Sequence, residues 1–506
     1  MCGLCYDSTC DGLTHYRAQG AGQNSGSGFV AEAVLDGIVE QLNRGDSSWN
    51  AASPITFMFY ETIPNYAVGS SEYRGFSAFN EQQVDMAKLA LSVWGDVAAV
   101  TFWEMESGYS KISFANSDTL ASYSAAHAYM PSYAEWGGDV WVNSDLGYNV
   151  NPEVGSYGFA VLVHEIGHAL GQPHPGDYNA SAGSLSYARN AEYKEDSAQY
   201  TIMSYWDETN TGADFDGHSA QTPMLHDILA IQAKYGANLT TRTGDTVYGF
   251  NSNTESPVFD FKQNEHPVLS IWDAGGIDTI DLSGFSEDSM LNLNSGEFSS
   301  VAGLVKNLSI AYGAEIEHAI TGDGDDIIIG NELDNIVDAG MGSDTFGLNV
   351  DQIDANMLVF DDGRIVISSD QGIDQVTNVE NILFTDVDVA LAGVEVHSIL
   401  DYAASYDDLS EAFGSNEELL YEHLITNGMN EGRTISFSAL DYIASHVDLI
   451  DTFGADKEAG AKHYMEFGRL EGRTITFDPN EFLDAHPELQ MAMGVNDSPA
   501  QYFIEL

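Results

Sequence analysis

The sequence predicts a multidomain protein: an α+β domain first, a parallel β-roll after it, and α-helical repeats at the end. Three observations carry that expectation. Between residues 30 and 240, segments with apolar residues at helical spacing alternate with short runs of β-formers. Residues 321–347 fall into three glycine-rich nonapeptides in register. From about residue 398 the period lengthens to 40, with Leu400-Asp401-Tyr402 returning at Leu440-Asp441-Tyr442. The boundaries follow as 1–29 for an N-terminal tail or propeptide with its linker, 30–240 for the α+β domain, 241–395 for the roll and 396–506 for the repeats.

Charge narrows the partners. With 17 basic against 78 acidic residues and a formal charge of −61 over 506 residues, the surface repels nucleic acid and anionic membranes. It suits calcium, or a salty exterior that screens repulsion. No apolar run reaches the ~18 residues of a membrane span.

Taken in order, Val34, Leu35, Ile38, Val39 and Leu42 space a helix over 30–43. Ile55–Tyr60 is rich in β-formers and reads as a strand. Asn80 is placed to cap a helix running to Val97. Strands follow at Val100–Glu104, Lys111–Ala115, Ala125–Pro131 and Gly138–Asn143, and a helix at about Ser156–Leu170.

That last helix carries the chemistry. His164 and His168 stand four residues apart, so both imidazoles leave one face and can share a metal ion. Gly171 tolerates the left-handed turn that ends many helices, and the returning chain offers His174 as a third ligand. Three neutral imidazoles on tetrahedral zinc leave a position for water, and Glu165 is placed to take its proton. The alternative is a helix with structural histidines, which the correctly spaced Gly171 and His174 disfavour.

The pattern His164-Glu165-x-x-His168-x-x-Gly171-x-x-His174 resembles that of the metzincin metalloproteases. Thr201-Ile202-Met203-Ser204-Tyr205-Trp206 fits the methionine turn of those enzymes, with Met203 beneath the zinc. A tyrosine two residues after the methionine resembles the serralysin and astacin branches. There it implies that Tyr205 is a further zinc ligand that swings to stabilise the tetrahedral intermediate. Ala126-His127-Ala128 resembles the edge strand that pairs with an extended peptide beside the zinc. His127 is read as structural and left out of the metal site.

The resemblance to serralysins continues downstream. Arg242, Gly244, Asp245 and Thr246, with Asp273, Gly275, Gly276 and Asp278, stand as the calcium segments of that family's β-roll do, and Glu315 and Glu317 as its later acidic segment. The nonapeptides at 321–329 and 339–347 are of the calcium-binding type, with Gly322, Asp323, Gly324 and Asp326 in one and Gly340, Gly342 and Asp344 in the other. The middle copy has Asn331, Leu333 and Asn335 where Gly, Gly and Asp are expected, so its site is expected to be weak or empty. Residues 364–388 resemble the strands that close such a roll. The 40-residue units, with Phe413-Gly414 matching Phe453-Gly454 and Glu431-Gly432-Arg433 matching Glu471-Gly472-Arg473, read as short helix pairs with no chemistry to assign.

The expectation is therefore a secreted, calcium-stabilised zinc endopeptidase: an α+β metzincin protease domain, a calcium-binding β-roll and helical repeats. The alternative is an inactive calcium-binding adhesive or matrix protein. The resemblance implies one catalytic zinc, several structural calcium ions, protein or peptide substrates, a proteinaceous inhibitor and a type I secretion apparatus. The last of these fits an opening MCGLCYDSTCDG that lacks a Sec-type signal. Cys2, Cys5 and Cys10 all lie in that opening. They are read as part of a dispensable tail, with a metal cluster or a thiolate capping the zinc of an immature enzyme as alternatives. Residues 18–29 read as a Gly/Ser linker, and cleavage there would remove every cysteine.

Overall fold

The computed structural model describes residues 35–45, 47–120, 124–178, 185–490, 493 and 498–506. The three cysteines and the linker lie outside them. The chain forms two compact units, residues 1–329 and 330–506.

In the first unit, helix α1 (Leu35–Leu42) buries Ile38 and Leu42. Strand β1 (Ile55–Phe59) precedes helix α2 (Glu81–Val97), where Asn80 accepts from the Gln83 amide and Gln83 answers on the Asn80 amide. That reciprocal cap satisfies two N–H groups the helix cannot. Strands β2 (Phe102–Glu104), β3 (Ile112–Ser117), β4 (Ala126–Ala128) and β5 (Asp139–Asn143) complete a sheet of order β2-β1-β3-β5-β4. All of these neighbours run parallel except β4, which lies antiparallel on β5 with His127 opposite Trp141. Residues of β3 and β5 are buried throughout, as a central sheet requires, whereas β4 is half-buried at the edge.

Helix α3 (Tyr157–Ala169) packs on this sheet, and α4 (Leu225–Tyr235) closes the domain. Trp94 of α2 donates from its indole to the Val163 carbonyl at 2.9 Å, fixing α2 against α3. The end of α3 is a Schellman motif: the Gln172 amide reaches the Gly167 carbonyl and the Gly171 amide the His168 carbonyl, both at 2.9 Å. Gly171 sits at φ +96°, and a β-carbon there would lie 2.0 Å from the Ser47 carbonyl oxygen. Trp49, two residues beyond Ser47, donates to the Ala169 carbonyl at 2.8 Å, so the segment before β1 seals the helix end.

Short strands follow: β6 (Val247–Gly249), β7 (Leu269–Ile271), β8 (Thr279–Asp281), β9 (Met290–Asn292), β10 (Leu308–Ile310), β11 (His318–Ile320) and β12 (Ile327–Ile329). They pair in parallel, β6 with β8, β8 with β11, β7 with β10 and β9 with β12. Each is three residues long.

The second unit opens with β13 (Ile336–Asp338) and β14 (Thr345–Gly347), then β15 (Asn356–Phe360), β16 (Ile365–Ser369), β17 (Gly372–Thr377) and β18 (Asn381–Leu383). Here β13 runs parallel to β17 and β14 to β18, while β15, β16 and β17 form an antiparallel meander. Short helices fill the rest, including α5 (Ile399–Ala404), α6 (Glu417–His423), α7 (Ala439–Ala444) and α8 (Lys457–His463). The Tyr402 hydroxyl meets His423 Nδ1 at 3.0 Å, and Tyr442 meets His463 in the same way. A β-carbon on Gly428 or Gly468 would stand 2.1 Å from those hydroxyls, which explains why both positions are glycine.

Replacing Gly171 by alanine should be among the costlier single changes in the first unit. It places a side chain at positive φ and drives a methyl into the Ser47 carbonyl, a loss of about 2 kcal/mol or more. Thermal unfolding with zinc quantitation checks this: both melting temperature and zinc content should fall together.

Candidate active site

Helix α3 is buried except at three residues, Tyr157, His164 and His168, which therefore share its open face. The turn after Gly171 returns His174 to that face. His168 Nε2 and His174 Nε2 lie 3.0 Å apart, and ligand atoms of His164, His168 and His174 all fall within 4.8 Å of one another. Among the described residues this is the one such group of three or more His, Cys, Asp or Glu side chains.

Each imidazole is oriented from behind. His164 Nδ1 contacts the Ile202 carbonyl at 2.6 Å, His168 Nδ1 that of Gln172 at 2.7 Å, and His174 Nδ1 that of Tyr178 at 3.0 Å. A carbonyl accepts only, so each Nδ1 carries the proton and each Nε2 is a lone pair aimed inward. Burial lowers the pKa of all three, and mutual repulsion adds to it at His168 and His174, with His174 brought to about 3. The set is neutral at physiological pH, as metal ligands must be. These donors fit zinc.

Glu165 follows the first ligand and is 6% exposed. Its Oε2 is buried without a hydrogen-bond partner, and burial raises its pKa to about 8. A cation nearby would draw it down again. Met203 is fully buried under the helix. A β-carbon at Gly167 would come within 2.6 Å of its sulfur, so the glycine inside the histidine motif is what lets the methionine turn approach. Tyr205 is 41% exposed, its ring 4.3 Å from that of His174.

Four residues that support this site carry no local sequence signal. Buried Asp227 on α4 accepts from the Ile202 amide at 2.7 Å, the Thr201 hydroxyl at 2.5 Å and the Met224 amide at 2.8 Å, anchoring the methionine turn. Arg44 donates to the carbonyls of His174 at 2.9 Å and Gly176 at 3.0 Å, clamping the third ligand's loop. Asp196 accepts from the Tyr178 hydroxyl at 2.8 Å, the Ser204 hydroxyl at 2.7 Å and the Trp206 indole at 3.2 Å. Asp196 thus grips both neighbours of Tyr205 and the residue whose carbonyl orients His174. Tyr178 is the fourth.

The edge strand lies where the sequence suggests. Among the described residues no strand pairs with the free edge of Ala126–Ala128. His127 faces Glu72, with Nε2 to Oε1 at 3.5 Å, apart from the three ligands.

The acidic turns share one geometry. A carboxylate just before one strand accepts the amide of the residue just before the neighbouring parallel strand. Asp278 takes the Thr246 amide, Glu317 that of Asp278 and Glu380 that of Asp344, each at 2.7 Å. Asp326 takes that of Ser289 at 2.6 Å, and Asp374, inside β17 and not before it, takes that of Asn335 at 3.0 Å. Asp278 Oδ2 is buried without a hydrogen-bond partner. At Gly276 a β-carbon would meet the Gly244 carbonyl at 2.7 Å and Asp278 at 2.9 Å, so glycine keeps that pocket open. Both features fit a hard cation. Asp245 accepts the Ile277 amide at 3.1 Å beside it. Asp273 bonds Tyr248 at 2.6 Å and Gly275 at 2.9 Å. The Arg242 side chain is spent on Asp96, Tyr248 and the Trp272 carbonyl, leaving only its own carbonyl for a cation. Glu315 and Asp323 are exposed. In the first nonapeptide a β-carbon at Gly322 would lie 2.0 Å from the Phe285 carbonyl. In the third, Gly340 and Gly342 have φ of 81° and 151°. Glu380 was not singled out in the sequence. Its place in Val379-Glu380-Asn381 matches Ile316-Glu317-His318, a hydrophobic-Glu-polar step that was the available signal.

The middle nonapeptide differs. Asn335 Oδ1 accepts the Asn331 amide at 3.0 Å, and Asn335 Nδ2 donates to Asn331 Oδ1 at 2.9 Å. Two neutral amides satisfy one another where the flanking copies hold a carboxylate.

A family model described as Matrixin matches residues 65–219, and one described as Peptidase M10 serralysin C terminal matches residues 237–418. Serralysin G of Dickeya chrysanthemi is 42% identical over 339 residues, covering 64% of this chain and 70% of that protein. Serralysin C of the same organism is 43% identical over 337 residues, covering 64% and 69%. Metallopeptidase AprA of Pseudomonas marginalis is 42% identical over 318 residues, covering 60% and 66%.

Asp196→Asn should cost about 2 kcal/mol, because one amide oxygen cannot accept three donors and its NH2 opposes one of them. Catalytic turnover should fall as well. Combined with Tyr205→Phe, the two losses in kcat should be less than additive, since the carboxylate acts on the tyrosine's position; fully additive losses would separate them.

Proposed function

This chain belongs to the serralysin family of zinc metalloendopeptidases, and on that footing we propose which of its residues carry out the hydrolysis. His164, His168 and His174 hold the zinc, with Tyr205 as an additional, displaceable ligand. When bound, the metal supplies Lewis acidity, polarising the scissile carbonyl and acidifying a water molecule. Glu165 is the general base. Its oxygen has no competing donor and its burial raises its basicity, so it takes a proton at Oε2 and returns it to the departing amine. Tyr205 donates its O–H to the developing oxyanion, supported by its partial exposure beside His174. The free edge of Ala126–Ala128 aligns the substrate through backbone hydrogen bonds. The observation that carries this reading is the convergence of three outward-protonated imidazoles beside a buried carboxylate whose outer oxygen no donor reaches. An inactive adhesive protein would have no use for Glu165 held in that state.

The remaining assignments are of the same kind. Residues 30–240 are the protease domain, 241–395 a calcium-binding β-roll and 396–506 helical repeats. Calcium is placed by the carboxylates at Asp278, Glu317, Asp326, Asp344 and Glu380 together with glycine-turn carbonyls. The family membership and the nonapeptides support export through a type I apparatus to an extracellular medium, protein or peptide substrates and a proteinaceous inhibitor as partner. No helix among the described residues is long and apolar enough to cross a membrane.

Glu165→Ala should keep zinc and lose peptidase activity by several orders of magnitude in a casein digest, while Tyr205→Phe should lose less. Near-normal turnover of the first variant would sink the mechanism. Calcium offers a second test with a defined sign. Burial raises Asp278 and Asp374 from 3.8 to about 7. Protonated folded carboxyls therefore favour the native state below about pH 4, and this advantage fades as pH rises through about 7. Calcium-depleted protein should accordingly melt higher at about pH 5 than at about pH 8. Millimolar calcium should raise the pH 8 melting temperature most, because it binds the ionised form.

A further inference from the structure

Substrate choice has so far no residue assigned to it, and one unexplained feature lies in line with the zinc ligands. Of all the residues in α3, only Tyr157, His164 and His168 escape burial. At 100° per residue, Tyr157 falls within about 20° of both histidines around the helix axis, and at 1.5 Å rise it stands about 10 Å before His164. An extended peptide covers that distance in about three residues. Tyr157 is 57% exposed, and the edge of its ring meets that of Tyr148, itself 39% exposed, with centroids 5.2 Å apart at 71°.

The pair is rigidly mounted. Tyr148 lies in a single helical turn after β5, Gly147–Val150, and Gly158 allows its carbonyl to approach so closely that a β-carbon would sit 2.0 Å away. The next residue, buried Asn149, donates to the Ala125 carbonyl at 2.7 Å and the Asn143 carbonyl at 3.0 Å, tying this turn to the beginning of the edge strand. Gln83 and Asn80 of the α2 cap hold the carbonyls of Asn149 and Val150, both at 2.9 Å. Tyr148 is thus one residue from a contact with the start of the strand along which a peptide would lie.

Charge says what the rings receive. From residue 112 to residue 188, a stretch containing the edge strand, this helical turn and all three histidines, there is no Lys or Arg. Asp145 precedes the pair in sequence and Glu153 lies between its two members. Aromatic faces without a competing cation, in a chain of charge −61, favour a guanidinium or ammonium.

We propose that Tyr148 and Tyr157 form a substrate subsite that takes an arginine or lysine side chain about three residues from the scissile bond. The subsite rests on the peptidase reading above and adds the substrate class to it. The test uses internally quenched peptides that place Arg, Gln or Phe at each position two to four residues either side of the cleaved bond. At one position wild-type enzyme should show kcat/KM about five- to tenfold higher for Arg than for Gln, as a cation–π contact supplies. That ratio should shrink with salt, persist in Tyr157→Phe and collapse towards one in both Tyr157→Ala and Tyr148→Ala. Equal rates for Arg and Gln at every position, a preference for Phe over Arg, or an intact Arg preference in both alanine variants would each overturn the subsite. Failure to cleave any of the peptides would instead overturn the peptidase reading, and the subsite with it.

Discussion

Three hydrogen bonds from imidazole to backbone carbonyl determine most of what surrounds the catalytic helix. A lone histidine rotates and samples two tautomers; these three cannot, because each Nδ1 is occupied by the carbonyl of Ile202, Gln172 or Tyr178. The carbonyls must therefore be fixed in their turn. Ile202 is held by Asp227, Gln172 by the Schellman turn at Gly171, and Tyr178 by Asp196. The Ser47 carbonyl pressed against Gly171 and the Arg44 clamp on His174 extend the same support to the segment before the sheet. A site assembled this way is positioned by backbone, which is stiffer than side chains are.

How much of this the sequence disclosed depended on the range of each interaction. The histidines, Glu165, Gly171 and Met203 were legible because their roles are set by spacing within one helix and two turns. So were the capped helix at Asn80 and the strands of the sheet, whose period is local. Asp196, Asp227 and Arg44 were not, since an isolated acid or arginine looks alike whether it is solvated or holds a loop, and the Arg44 clamp spans 130 residues. Gly167 was read only as a spacer, although the methionine packed beneath it leaves no room for a side chain. Tyr157 was hidden for the opposite reason: its meaning lies in the burial of every neighbour except the two histidines.

The acidic turns reconcile a large negative charge with a compact structure. Each carboxylate in the series accepts a backbone amide across one step of the strand stack, so it caps a strand start that would otherwise leave a buried donor unmet. The hydrogen bond satisfies one oxygen and leaves net charge behind. Neutral side chains would satisfy the same amides at lower electrostatic cost. On the calcium assignment proposed above, these carboxylates couple folding to the ion content of the medium.

The Asn331–Asn335 pair breaks that condition at one turn. Two amides close this loop without placing a charge in it, while the Asn335 amide rests on the Asp374 carboxylate. Its consequence is kinetic. A stack whose every step awaited an ion would have to organise all its turns at once, and nucleation would depend steeply on ion concentration. On the calcium reading, one charge-free loop in the second unit would be a place from which neighbouring strands zip as ions are captured. On that reading ion concentration would set the depth of the native basin, and two asparagines would mark where assembly begins.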